Sequence, residues 1–283
     1  MDGIAGMKNG ALYTIGRVLI YVFLISATLL MLLPFVWMLS SSLKIQRDVF
    51  TYPIQWIPAS FEWNNYVEIW QKIPLIVFFR NTFQLAIVIT LIQLFTSSFA
   101  AYAFAKLRFP GRDVLFLAYV GTIAIPWHSY MVPQYIMLSR FGLTNTHTAI
   151  ILLQSFTAFG VFLIRQFYMS IPDELCEAAR IDGLSEYGIY ARIMLPLSKP
   201  AMATLAIFTF VTVWNDFLGP RIYLLSQHLR TIQLGIRLFI NQHSSDFQLV
   251  MAASLISLIP VFILFVSLQR LFVQGVATSG LKG

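Results

Sequence analysis

The chain has 283 residues, of which 58% are hydrophobic and only 11% charged, with a mean hydropathy of +0.74. A soluble domain needs more charge than that to cover its surface, so the composition excludes an ordinary globular protein and points to a chain embedded in lipid. The net charge of +7 does not indicate nucleic acid, because the 19 Lys and Arg are scattered between apolar blocks and not gathered on one face.

A helix needs about 20 apolar residues to cross the hydrocarbon core. Residues 18–39 and 81–105 contain no Asp, Glu, Lys or Arg, and 114–139 is equally uncharged, though it carries Pro126, His128 and Pro133. Residues 147–164 follow, then 201–218 with Asp216 near its far end, and finally 247–269. The pattern predicts an all-α integral membrane protein of six spans, at about 16–40, 80–105, 113–138, 147–167, 199–219 and 248–270, in a single transmembrane domain over 1–283. The prolines of the third stretch predict a kink or a broken helix there. No small-residue cleavage site follows the first apolar stretch, which runs through Pro34 and Trp37 to Lys44, so a retained span is expected and not a removed signal peptide.

An even number of spans puts both termini on one side, and short loops decide which. Lys106, Arg108 and Arg112 place three cations in seven residues, whereas the next turn, 140–146, holds Arg140 alone. The first turn is therefore expected to be cytoplasmic, with both termini. Over the whole chain the excess is smaller, eleven cations inside against eight outside, so the orientation rests on that turn. The segment 43–79 is then external, 168–198 is a cytoplasmic loop, and 271–283 is a cytoplasmic tail. Cys176, the single cysteine, excludes an internal disulfide and lies in that cytoplasmic loop. The four histidines, His128, His147, His228 and His243, have no metal-ligand spacing, and no nucleophile–base pair suggests a catalytic residue.

The cytoplasmic loop has the most ordered polar pattern. Ser170, Pro172, Asp173 and Glu174 read as a helix start, with proline at the first helical position and acids at the positive end of the macrodipole. The helix is expected to run to about Asp182 and stop at Gly183, a residue suited to a left-handed C-terminal conformation. Ser185 offers a second cap, and 185–194 is helical in pattern until Pro196. Leu175, Ala178 and Ala179 share one face by three-and-four spacing, while Glu177 and Arg180 form a candidate i,i+3 pair. Such a helix–Gly–helix elbow can dock a partner protein, or it can lie against its own bundle or the lipid headgroups.

Within the spans, Gln84, Gln93, Gln154, Thr209 and Asn215 are polar where unpaired polar groups are unfavourable. They either face a substrate path or make hydrogen bonds between helices. Asp216, beside Trp214, reads equally as a path residue or a structural cap.

Glu177, Ala178 and Ala179, then three residues, Gly183, nine residues, Ile193, one residue, Leu195 and Pro196 match the EAA-loop pattern of ABC importer permeases at every defined position. Other segments resemble the carbohydrate-uptake branch, in particular the smaller, six-span permease of the maltose type. They are Trp56, Ile57 and Pro58 with Phe61, Asn65 and Tyr66; Arg80, Asn81 and Thr82; residues 101–105; residues 214–218; and the tail from Phe272 to Gly275 with Gly280 to Gly283. The resemblance covers nearly the whole chain. The external loop 219–248 departs from it, carrying no pattern assignable to a role.

The resemblance implies a type I ABC importer permease in a bacterial or archaeal cytoplasmic membrane. Its partners would be a second permease, two copies of a cytoplasmic ABC ATPase that bind ATP and Mg, and an extracytoplasmic solute-binding protein that delivers a sugar. Glu177, Ala178, Ala179, Asp182, Gly183, Ile193, Leu195 and Pro196 would couple to the ATPase, and Gln274 and Gly275 in the tail would touch it. The loop after the fifth span would help displace sugar from the binding protein. Gln84, Thr209, Asn215 and Asp216 are the candidate path residues, although in the maltose type the companion permease holds most of the sugar site.

The chain has no Gly-x-x-x-x-Gly-Lys-Ser/Thr phosphate loop, so no cofactor is expected in it and any ATP hydrolysis falls to a partner. The EAA pattern alone also permits a non-sugar cargo such as an amino acid, peptide or polyol. A secondary transporter needing no ATPase would call for charge in mid-span, which these spans lack.

Overall fold

The computed structural model describes residues 3–240 and 246–280, with side chains over 13–240 and 246–273. The architecture is all-α: α1 (Gly3–Ser42), α2 (Asn65–Lys72), α3 (Leu75–Lys106), α4 (Arg112–Gly121), α5 (Met131–Arg140), α6 (His147–Gln154), α7 (Ala158–Met169), α8 (Glu174–Ile181) and α9 (Glu186–Ile189). A π-helical turn at Tyr190–Met194 leads to α10 (Leu195–Leu197), followed by α11 (Lys199–Trp214), α12 (Leu218–Tyr223), α13 (Ile232–Arg237) and α14 (Phe247–Gly280). The chain divides into two compact units, Met1–Ile69 with Phe239–Leu255, and Trp70–Leu238 with Ile256–Gly283.

In the first unit α1 is apolar all round over residues 18–39, and its side chains from Tyr13 to Leu39 are largely exposed. A helix with no polar face has lipid or another apolar surface as its natural surroundings. Its C-terminal end is closed by the neighbouring loop. Asn65 Nδ2 donates to the carbonyls of Ser42 and Lys44, each at 2.9 Å, and the Tyr66 and Ser42 hydroxyls lie 2.7 Å apart. Lys44 Nζ donates to the Gln55 carbonyl.

In the second unit α3 is the central post. Leu75, Phe78, Thr82, Leu85, Ala86, Ile89, Ser97, Ala101 and Tyr102 recur at three and four and are buried, which is the stripe a helix packed on two neighbours requires. Helices α7 and α11 pack along it. Close approach depends on small residues: a Cβ on Gly160 would stand 2.5 Å from Ser97 Oγ and 2.7 Å from Thr157 Cγ2. Trp214 Nε1 at the end of α11 donates to the carbonyl of Ser257 on α14 at 2.9 Å.

Three single helices are long and apolar enough to cross a membrane, Tyr13–Ser42, Leu75–Lys106 and Phe247–Val273. Two bent pairs raise the number to five among the described residues: α6 with α7, bent 40°, and Glu186–Leu197 with α11, bent 76°. The remaining expected stretch, 113–138, is divided into the ten-residue helices α4 and α5 by a non-α-helical passage through Pro126. Proline lacks the N–H that would continue the ladder, and the residue before it is pushed to extended backbone; Ile125 has φ −87° and ψ 110°.

The break between α6 and α7 has no proline. Its freed carbonyls are taken up by α3: Gln93 Nε2 donates to the Gln154 carbonyl at 2.5 Å and Thr96 Oγ1 to the Ser155 carbonyl at 3.0 Å. Thr157 then caps α7 through Gly160 N. A break within lipid is tolerated when neighbouring side chains meet its backbone groups in this way.

Candidate functional sites: a polar elbow and an inner pocket

The elbow is two short helices joined by a tight reversal. Gly183 has φ +83°, with its N–H on the Arg180 carbonyl at 3.0 Å and Leu184 N–H on the Ala179 carbonyl at 2.9 Å. That pair of bonds is a Schellman closure, which satisfies the last carbonyls of α8. Ser185 Oγ accepts from Gly188 N at 3.3 Å and caps α9. Both features follow the sequence reading.

The start of α8 differs from it. The helix begins at Glu174, so Pro172 stands before the cap, and the Asp173 carboxylate does not cap. Instead it accepts from Lys106 Nζ at 2.5 Å, and Lys106 also donates to the Ile171 carbonyl at 2.6 Å. The Lys106 ammonium is nearly enclosed, its side chain 3% exposed. The Lys106 bond holds the Asp173 carboxyl below its ordinary value, with Arg108 and Arg180 adding to the pull.

The faces of α8 also differ. Cys176 and Ala179 turn inward onto Tyr102, Tyr168, Ile189 and Met194, while Leu175 and Ala178 are exposed together with Ile181, which is 87% exposed. Ala179 therefore belongs to the elbow's own core and not to its outer face. Arg180 reaches across the reversal to Glu186, at 2.7 and 3.3 Å, and not along the helix to Glu177. Tyr102 Oη on α3 donates to the same carboxylate at 2.5 Å. The Arg180 guanidinium first, then the Tyr102 hydroxyl, hold the Glu186 carboxyl below the ordinary carboxylate value.

Of the other motif residues, Glu177 and Asp182 are exposed, Ile193 and Leu195 are half-buried, and Pro196 is exposed. Pro196 accounts for the widened turn before it. Its ring would collide with the Arg192 carbonyl in a regular α-helix, and Arg192 lies in the π-helical segment Tyr190–Met194. Gln274 and Gly275 fall in the part of α14 whose side chains lie outside the described residues, and 281–283 lie outside altogether, as does His243.

The second unit also holds a cavity of about 440 Å³. Thr209 and Asp216 line it, and so do Gln93 and Gln154. Thr209 Oγ1 donates to Gln93 Oε1 at 2.7 Å, and Gln154 Nε2 to Asp216 Oδ2 at 2.8 Å. These residues therefore make hydrogen bonds between helices, as one of the two sequence readings expects, and they also line a cavity. Asp216 is also a cap: its Oδ1 accepts from Gly219 N at 3.1 Å. Gln84 and Asn215 are exposed and lie off the cavity, Asn215 paired with Gln233 at 3.2 Å.

Sequence reading missed the aromatic wall of Trp127, Tyr130, Phe156, Phe159, Phe208 and Tyr223. The available signal was Trp127 and Tyr130 beside Pro126, at an interruption expected to expose side chains to something other than lipid.

The unassigned loop is well anchored over 219–238. Asn81 Nδ2 donates to the carbonyls of His228 (2.8 Å) and Arg230 (3.0 Å), and Thr82 Oγ1 accepts from Ile232 N (2.8 Å). Asn145 Oδ1 accepts from Leu225 N and Ser226 N. Among the described residues no cluster of His, Cys, Asp and Glu could hold a metal ion.

The chain matches the model of a family described as binding-protein-dependent transport system inner membrane component over residues 3–278. It is 35% identical over 227 residues to the arabinooligosaccharides transport system permease protein AraQ of Halalkalibacterium halodurans, covering 80% of this chain and 81% of that protein. Identity is 33% with the melibiose/raffinose/stachyose import permease protein MelC of Bacillus subtilis, covering 89% of this chain and 91% of the relative. It is 33% with the sn-glycerol-3-phosphate transport system permease protein UgpE of Pectobacterium atrosepticum, covering 92% and 95%. The fold is shared with a bacterial ABC transporter involved in the import of the acidic polysaccharide alginate, at a TM-score of 0.78 and 22% identity, covering 94% of this chain and 98% of that one. Matched along nearly its whole length, the chain belongs to the family of inner-membrane components of binding-protein-dependent transport systems.

Proposed function

We propose that the chain is the smaller, six-span permease of a maltose-type importer that moves a di- or oligosaccharide into the cytoplasm. The sixth span is 113–138, crossing as a broken helix. The chain pairs with a second permease in a bacterial or archaeal cytoplasmic membrane, with both termini cytoplasmic. An extracytoplasmic solute-binding protein delivers the sugar, and two copies of a cytoplasmic ATPase bind ATP and Mg.

The observation that carries this reading is the elbow. Leu175, Ala178 and Ile181 are exposed at three-residue spacing on a helix closed by Gly183, bordered by Glu177 and Asp182. A small, apolar, acid-rimmed surface on a short rigid helix suits the groove of a partner. The second arm, with Ile193, Leu195 and Pro196, carries displacement of the elbow into α11, and the Lys106–Asp173 and Tyr102–Glu186 contacts carry it into α3. ATP shifts the transporter between states only if the ATPase grips the elbow differently in each. Gln274 and Gly275 would add a tail contact.

Ile181→Cys paired with a cysteine in the ATPase groove should cross-link in the assembled complex, at a yield that changes on ATP binding. A yield of zero in every nucleotide state sinks the docking role. The cargoes named for the relatives include uncharged arabinooligosaccharides and anionic sn-glycerol-3-phosphate. In proteoliposomes an oligosaccharide on the binding protein should stimulate ATP hydrolysis; stimulation by amino acids or peptides alone would overturn the sugar assignment.

A further inference from the structure

Three interruptions of helical backbone meet at one cavity: 122–130 supplies Trp127 and Tyr130, 155–157 supplies Phe156 and Thr157, and 215–217 supplies Asp216. Irregular backbone at membrane depth is stable only where it is buried in protein or lines a wet cavity. At about 440 Å³ the cavity falls within the size range of small-molecule sites, about 300–1,000 Å³. Its wall alternates aromatic rings with amide and hydroxyl groups, a surface that suits the C–H faces and hydroxyl edges of a sugar ring. Asp216 is the one formally charged residue of the lining, which holds no Lys, Arg or His. Both oxygens of that carboxylate accept hydrogen bonds, from Gln154 Nε2 and Gly219 N.

We infer that this chain itself carries a cargo subsite in this cavity, selective for uncharged sugars and closed to sugars bearing a carboxylate, sulfonate or phosphate. The inference rests on the importer reading and names the substrate class of the site. A buried anion requires a cation or several strong donors. Here it would meet a carboxylate, and the Gln93 and Gln154 amides each already give one donor, to the Gln154 carbonyl and to Asp216. Uncharged hydroxyls carry no such requirement, and Thr212 and Tyr130, both exposed residues, are part of the lining.

The test uses the purified complex of this chain with its companion permease and ATPase, without the binding protein. Equilibrium binding is measured for maltose, melibiose, arabinobiose and, as anionic counterpart, digalacturonate. At least one neutral disaccharide should bind about tenfold or more tightly than digalacturonate. Tyr130→Ala should weaken that binding about tenfold, a loss of about 1.4 kcal/mol. Thr212→Lys, which places a cation on an exposed position of the wall, should narrow or reverse the preference. The inference is overturned if no neutral disaccharide binds, if digalacturonate binds equally to the wild type, or if neither variant changes the preference. ATP hydrolysis stimulated by loaded binding protein is measured in parallel. Its absence with every sugar defeats the importer reading itself, whereas normal stimulation with unaltered variants defeats only the subsite.

Discussion

Gly183 combines φ +83° with open space, since nothing lies within 4 Å of where its Cβ would stand. The cost of replacing it is therefore conformational and not steric. A β-branched residue in the left-handed region should lose about 1–2 kcal/mol, and Asn rather less. Thermal unfolding of the purified complex should rank wild type above Gly183→Asn above Gly183→Val, with coupling of transport to ATP hydrolysis falling in that order. Equal stability of the Val variant would show that the reversal does not constrain the elbow. The glycine and Ser185 were readable from sequence because caps and reversals are local devices. Arg180 was not, because sequence spacing offers Glu177 three residues back, while the reversal folds Glu186 onto the guanidinium at 2.7 Å. Lys106 was read as a topology signal and proved to be an enclosed tether for Asp173 and Ile171 as well.

Elements show the same division between local and distant causes. The interruption at Pro126 could be expected from the chain, whereas the one at 155–157 contains only Ser155, Phe156 and Thr157. It exists because Gln93 and Thr96, about sixty residues earlier, receive the freed carbonyls. Packing of α7 on α3 depends in turn on Gly160. Gly160→Ala would put a methyl 2.5 Å from Ser97 Oγ, an overpacking that should cost about 1–3 kcal/mol. Ser97 Oγ is buried without a hydrogen-bond partner among the described residues, so Ser97→Ala should itself be tolerated and should recover part of the loss in the double variant. A double-mutant cycle on the melting temperature measures the coupling. Strict additivity would mean the helices part instead of packing as described.

For the whole molecule, hydropathy made membrane residence legible, and the all-α architecture followed from it. Sidedness rested on one short turn, and part of that turn's charge is committed to contacts: Lys106 to Asp173, and Arg112 to Asp113 and the Leu107 carbonyl. A cation neutralised by a local acid still counts during insertion, since Asp and Glu contribute little to the positive-inside rule. The expected orientation therefore stands on Lys106, Arg108 and Arg112 together. It separates two exposed positions of the second unit: Ile181 on the elbow should face the cytoplasm, and Gln227 in the loop anchored by Asn81 should face outside. The only native cysteine, Cys176, is buried, and burial pushes its thiol up, away from the reactive thiolate. Single-cysteine labelling with a membrane-impermeant maleimide thus has a low background. In intact cells or right-side-out vesicles Gln227→Cys should label and Ile181→Cys should not, with the pattern reversed in inside-out vesicles. Labelling of both positions from one side would remove either an odd number of crossings between them or the assignment of 199–219 as a span, and with it the six-span topology.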